Sequence, residues 1–215
     1  MNKLTMAFCL VTILSVGVFA QTGDGEYNKN EFYVGYSNQQ ISREINIDSR
    51  GSLNGIEASY VRNFHRYFGI KGDFSAAYQK GNTNGLVVTY DPTVNLAQVN
   101  YDFNSSAFNF LGGVQVKNNA SRGRYKPFAH ALVGATHRRL KTKNLGCVSN
   151  CPSNTINIPD FKSSNTGFAG AFGGGLDIKI NDRIDFRAVQ VDYNPIFTGS
   201  RVNNGFRFGV GIVFK

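Results

Sequence analysis

The chain has 215 residues, with 23 Lys and Arg against 14 Asp and Glu, and its formal net charge is +9 although only 17% of its residues are charged. Such a surplus suits nucleic acid, anionic lipid or acidic polysaccharide, but an N-terminal export signal argues against nucleic acid, and the basic residues are scattered rather than gathered on a helix. After that signal no long apolar run occurs, which excludes a helical membrane protein and leaves only a closed barrel as a way to satisfy backbone groups in lipid.

Residues 1–20 read as a signal peptide. Lys3 supplies the positive start, Ala7 to Phe19 the apolar core, and Val18-Phe19-Ala20 a cleavage site before Gln21. The run is short for a membrane helix, and no basic stop-transfer cluster follows it. Cys9 lies inside the run, which argues against a lipoprotein anchor. The expected mature chain, 21–215, suits one domain.

Eight strands are expected, at about 32–40, 53–63, 67–79, 105–117, 125–139, 166–180, 183–193 and 206–214, because side chains alternate between apolar and polar or small. The third is clean, with Phe68, Ile70, Phe74 and Tyr78 on one face and Lys71, Asp73 and Ser75 on the other. The faces of the fifth are hard to assign, and Pro127 is tolerable at its start. The seventh slips near Val189-Gln190-Val191, which marks a bulge. In the eighth, Phe206, Phe208, Val210, Ile212 and Phe214 form a uniform apolar face. The glycines of Gly170 to Gly175 sit inside a strand pattern with no helix after them, so they are not a dinucleotide loop.

The connections alternate. Those at 63–66, 118–124 and 181–183 are short, whereas 41–52, 80–104, 140–165 and 194–203 are long and polar. Short turns on one side and long loops on the other are the pattern of outer-membrane barrels. The expected fold is all-β, a single eight-stranded antiparallel up-and-down transmembrane β-barrel. It has four long outer loops and short periplasmic turns. A soluble barrel holding an apolar ligand would instead turn its large apolar residues inward.

The segments Lys126 to Gly134, Gly173 to Ile178, Arg187 to Tyr193 and Asn204 to Phe214 carry a resemblance across essentially the whole mature chain. It resembles the small eight-stranded outer-membrane β-barrel proteins of the OmpA/OmpX type, often called porin family. The resemblance implies the bacterial outer membrane, a lipid and lipopolysaccharide environment and the barrel assembly machinery as a partner in biogenesis. It also implies an assembly signal ending on an aromatic residue, whereas this chain carries Lys215 after Phe214.

If the apolar faces meet lipid, the opposite faces turn Glu57, Lys117 and Asp185 inward, together with Lys71, Asp73, Asp177, Arg187 and Arg207. The last five are the expected core of a barrel-interior polar network, since eight strands leave an interior just wide enough for side chains to fill. The run His137 to Lys143 falls at the outer rim. There Arg138, Arg139, Lys141 and Lys143 are candidates for lipopolysaccharide phosphates, with a solvated loop stem as the plain alternative. Tyr33, Tyr60, Tyr67, Tyr78, Tyr125 and Tyr193 suit interfacial girdles. Cys147 and Cys151 suit a local disulfide in an exported chain; without a nearby His or second Cys pair they do not suit a metal. No Ser lies two positions from His130 or His137, so the reading is non-enzymatic, with no catalytic residue and no cofactor. The expected function is a structural anchor whose loops contact an extracellular ligand or stabilise the envelope. A narrow channel for small polar solutes is the alternative.

Overall fold

The structure, a computed structural model, describes residues 27–42, 50–91, 95–149, 161–199 and 201–215. The expected signal peptide lies outside them, as does Cys151 and with it the expected disulfide; Cys147 is placed only by its backbone. Eight strands run in chain order: β1 Asn30–Ser42, β2 Arg50–Asn63, β3 Phe68–Asp91, β4 Asn95–Lys117, β5 Tyr125–Ser149, β6 Phe161–Lys179, β7 Ile184–Thr198 and β8 Arg201–Phe214. Each pairs antiparallel with the next, and β1 pairs with β8 from Phe32 opposite Phe214 to Ile41 opposite Gly205, closing the barrel.

Alternation decides which way each side chain points. The even positions of β1 through β4 face outward, with Phe32, Tyr36, Ile56, Phe68, Ile70, Phe110 and Val114 exposed. On β5 the outward set is odd, from Tyr125 through Val133 to Ala135. Ten residue steps of tilted strand give an apolar band of about 25 Å, the usual height of a barrel's lipid-facing belt. Neighbouring rings pack along the belt, as Phe74 does with Phe110 at 4.9 Å.

At the bulge the sequence must change phase. Asp177 on β6 faces Arg187, but the neighbouring Leu176 faces Val189; on the other side Arg187 faces Gly211 and Gln190 faces Gly209. The extra residue in Ala188-Val189 moves the inward set from odd to even positions, because strand side chains repeat every two residues. Asp185 and Arg187 below it, and Gln190, Asp192 and Asn194 above it, are consequently all buried.

The strands are longer than expected at their outer ends. Most of 80–104 is strand, paired from Lys80 opposite Asn104 to Asp91 opposite Asn95, and β5 runs on through Ser149. The expected long loop at 194–203 is likewise strand at 194–198 and at 201–203, and Gly199 after β7 adopts φ 58°. Strict alternation marks a strand between lipid and lumen. Beyond the membrane it is no longer required, while runs such as Leu86-Val87-Val88-Thr89 still favour extended backbone. Pro195 has no N–H to give to a ladder. The β6–β7 register skips Asn194 and Pro195, and the Asn194 amide donates instead to the Gly170 carbonyl.

The short turns tie the other end together. The backbone N–H of Phe64 donates to the Phe68 carbonyl at 3.2 Å, and Asn181 Oδ1 accepts from the N–H groups of Arg183 and Ile184, both at 2.8 Å.

Candidate functional site

The chemistry of this barrel is concentrated in its interior, in three tiers. Nearest the short turns, Lys117 Nζ reaches Glu31 at 2.7 Å and Asp177 at 3.0 Å. Arg187 Nε donates to Asp177 at 2.8 Å, and its guanidinium lies 4.3 Å from the ring centre of Tyr33 and 4.0 Å from that of Phe128. Lys215, the residue beyond the aromatic end, turns its side chain inward to Asp185, which Lys126 also approaches at 4.0 Å.

The middle tier is built around Arg207. Its Nη1 donates to Asp73 at 2.6 Å and its Nη2 to Asp192 at 2.8 Å, while Glu57 lies 3.6 Å from its Nε. The planar fork of an arginine can satisfy several carboxylates at once, as an ammonium point charge cannot. Gln190 Nε2 donates to both Glu57 and Asp192 at 2.8 and 2.9 Å, and its Oε1 accepts from Arg187 at 2.8 Å, which joins the two tiers. Lys71 lies 3.7 Å from Asp73 and 3.3 Å from His130 Nδ1. An imidazole nitrogen facing an ammonium is the acceptor, so the His130 proton sits on Nε2, which is 2.8 Å from Asp192.

Above this, Asn109 donates to Gln39 at 3.2 Å and Ser75 at 2.8 Å, and Gln39 donates to Asn194 at 2.6 Å. The outer end of the interior is apolar: Ile41, Leu53, Ala77, Ala107, Leu132, Ala171 and Ile196 form one buried cluster. Glycines on the inner face make room for the large groups. A Cβ on Gly35 would collide with the Tyr33 hydroxyl and the Val210 carbonyl, and one on Gly175 would stand 2.9 Å from the Phe128 ring.

All five expected network residues, Lys71, Asp73, Asp177, Arg187 and Arg207, lie in this interior. Sequence reasoning missed Glu31, Asp192, Gln190 and the apolar tier. Glu31 precedes the expected first strand, and Ile196 lies in an expected loop. Asp192 and Gln190 are on the wrong phase unless the bulge is placed before them. Tyr33 corrects the girdle expectation: its odd position turns it inward, and it is 2% exposed. The other five tyrosines are exposed.

The outer basic run divides by parity. Arg139, Lys141 and Lys143 are exposed on one face of β5, with Lys162 of β6 directly opposite Lys141; Arg138 is on the other face and half-buried, so the expected group of four is not one surface. Arg139 Nε donates to His137 Nε2 at 3.0 Å, leaving the ring proton on Nδ1, 2.7 Å from Thr166 Oγ1. In that tautomer His137 is a donor to Thr166, not a base able to take its proton. His65 sits in the first short turn.

The sequence matches the outer membrane protein beta-barrel domain family over residues 6–214. A search of curated protein sequences finds no significant match. Among solved structures the fold is similar to Ail, the attachment invasion locus protein of Yersinia pestis, at 15% identity and a TM-score of 0.52 over 88% of this chain and 100% of that one. A second structure of that protein, in complex with the heparin analogue sucrose octasulfate, gives 16% identity and a TM-score of 0.51 over 86% and 97% of the two chains. Neisserial surface protein A covers 89% of this chain and 99% of its own, at 10% identity and a TM-score of 0.48. The closed eight-stranded barrel and a family match that spans nearly the whole sequence lead to one conclusion: the chain belongs to the outer membrane protein beta-barrel family, a family of the bacterial outer membrane.

Proposed function

We propose that this protein is a non-conducting outer-membrane anchor that presents its long outer strands to the surroundings. The observation that carries the reading is the filled interior. Two tiers of interlocked ion pairs lie beneath a layer of aliphatic side chains, and the same side chains that pair the charges occupy the lumen. A continuous water column would have to pass both Arg207, held by carboxylates from β3 and β7, and the cluster around Leu132 and Ile196.

At the outer end, the reading assigns Arg139, Lys141 and Lys143, with Lys162 beside them, to the phosphates of lipopolysaccharide or another anionic surface ligand. Their shared exposed face supports this, and so does the likeness to a barrel crystallised with a sulfated sugar. The test of the anchor is single-channel recording of refolded protein in a planar bilayer, with a heat-dependent gel shift to verify folding. Silence from folded protein is expected. Discrete, reproducible openings would overturn the plug and make the protein a narrow diffusion channel.

A further inference from the structure

A cavity of about 760 Å³ opens at the short-turn end of the barrel, beneath the charged tiers. It is within the size range of small-molecule sites. Its wall carries six cationic side chains, from Lys29, Arg66, Arg122, Lys126, Lys179 and Lys215, and one acidic one, Asp182. Asp182 is engaged by Lys179 at 2.5 Å. Lys126 and Lys215 share the single carboxylate of Asp185. Arg66 stacks over the Tyr67 ring at 4.9 Å, and among the described residues neither it nor Lys29 nor Arg122 forms an ion pair. The surplus therefore faces the cavity, and a concave site lined by one sign of charge concentrates the opposite sign.

Asn119 is the second, independent feature. It lines the same cavity and is 5% exposed, yet neither its amide nitrogen nor its amide oxygen has a hydrogen-bond partner among the described residues. A buried unpaired amide is costly, because it has given up water without gaining a partner. The backbone holds it there, because the Asn119 N–H donates to the Arg66 carbonyl at 2.8 Å. The remaining rim is pinned in the same way. Asn63 N–H donates to the Lys29 carbonyl at 2.8 Å, Lys179 N–H to Arg124 at 2.7 Å and Lys215 N–H to Arg183 at 2.9 Å. The backbone around the cavity is thus held in place before any ligand arrives, which lowers the ordering cost of binding.

We infer that the periplasmic mouth of the barrel is a binding site for a small multivalent oxyanion, one carrying several phosphate or carboxylate groups. Lys29, Arg66 and Arg122 supply the charge, and Asn119 donates an amide N–H to an anionic oxygen. The site is at the opposite end from the outer basic face and does not depend on whether the lumen conducts.

Titration calorimetry of the folded protein in non-ionic detergent at low salt tests this, with tripolyphosphate and with citrate as separate probes. One-to-one binding of either is expected, and the tighter probe identifies the preferred oxygen group. The double variant Lys29→Ala/Arg122→Ala should weaken binding at least tenfold. Asn119→Leu, which preserves size and removes the amide, should weaken it about threefold or more while the gel shift stays intact. Lys80→Ala, an exposed cation toward the far end and outside both proposed sites, should leave it unchanged. No binding of either probe would overturn the assignment, as would an equal loss in the far-end variant.

Discussion

Replacing Arg207 with Met removes a charge while keeping most of the side chain's length. In the parent protein its guanidinium is 2.6 Å from Asp73, 2.8 Å from Asp192 and 3.6 Å from Glu57, all buried. After the change these three carboxylates keep Lys71, 3.7 Å from Asp73, the more distant Arg187 on the far side of Gln190, and the neutral groups Gln190 and His130. Removing one partner of a buried pair costs about 3–5 kcal/mol, because the other charge stays desolvated. With a urea slope of about 2 kcal/mol per M the unfolding midpoint falls by roughly 2 M. The chain has no Trp, so unfolding is best followed by circular dichroism and by the heat-dependent gel shift. The decisive comparison is the triple variant Arg207→Met/Asp73→Asn/Asp192→Asn, which removes two of the three stranded charges along with the arginine. It should recover at least half of the loss. A single variant within about 1 kcal/mol of the parent would mean that these groups are hydrated rather than desolvated. A triple variant less stable than the single one would refute the argument from stranded charge.

Deleting Val189 leaves Arg187 and Gln190 two positions apart, matching Gly211 and Gly209 opposite them, so β7 becomes regular with the same side chains inward. The folded band should therefore survive in the gel, and its loss would mean that the strand needs the extra residue where it stands. Tyr33→Phe removes a hydroxyl with no hydrogen-bond partner among the described residues and keeps the ring against Arg187. It should be neutral or stabilise by about 1 kcal/mol in the same urea titration, while Tyr33→Ala should cost about 3 kcal/mol or more. Ala131→Arg, midway up the apolar band on β5, should destabilise by about 2–4 kcal/mol in lipid vesicles.

The barrel was legible because lipid on one side and a packed lumen on the other force strict alternation, which Phe206 to Phe214 display without a break. The three short turns followed from the same pattern. What was not legible lies where that constraint lapses. The outer halves of β3, β4 and β5 stand clear of lipid, so pairing continues with no periodic signature. Pro195 has no N–H to give to a ladder, and in the barrel a side-chain amide occupies the neighbouring carbonyl. Lys71, Asp73, Asp177, Arg187 and Arg207 could be assigned to the interior face by parity alone. Their partners could not, because pairing across the lumen links residues as far apart in sequence as Asp73 and Arg207. The apolar tier was hidden for a different reason: Leu132 and Ile196 are ordinary aliphatic residues, and nothing local distinguishes an inward leucine from an outward one.

The position of Arg207 in the chain also orders events in time. It belongs to β8, the last strand to be synthesised and exported, whereas Glu57, Asp73 and Asp192 belong to β2, β3 and β7. A sheet built from β1 to β7 therefore holds three acidic groups with no guanidinium between them. The arrival of the final strand supplies that group in the same step that closes the seam between β1 and β8. Charge neutralisation and ring closure are one event, so a barrel stalled at seven strands carries an electrostatic penalty that the finished one lacks, and partly built forms are disfavoured before any quality-control factor acts on them.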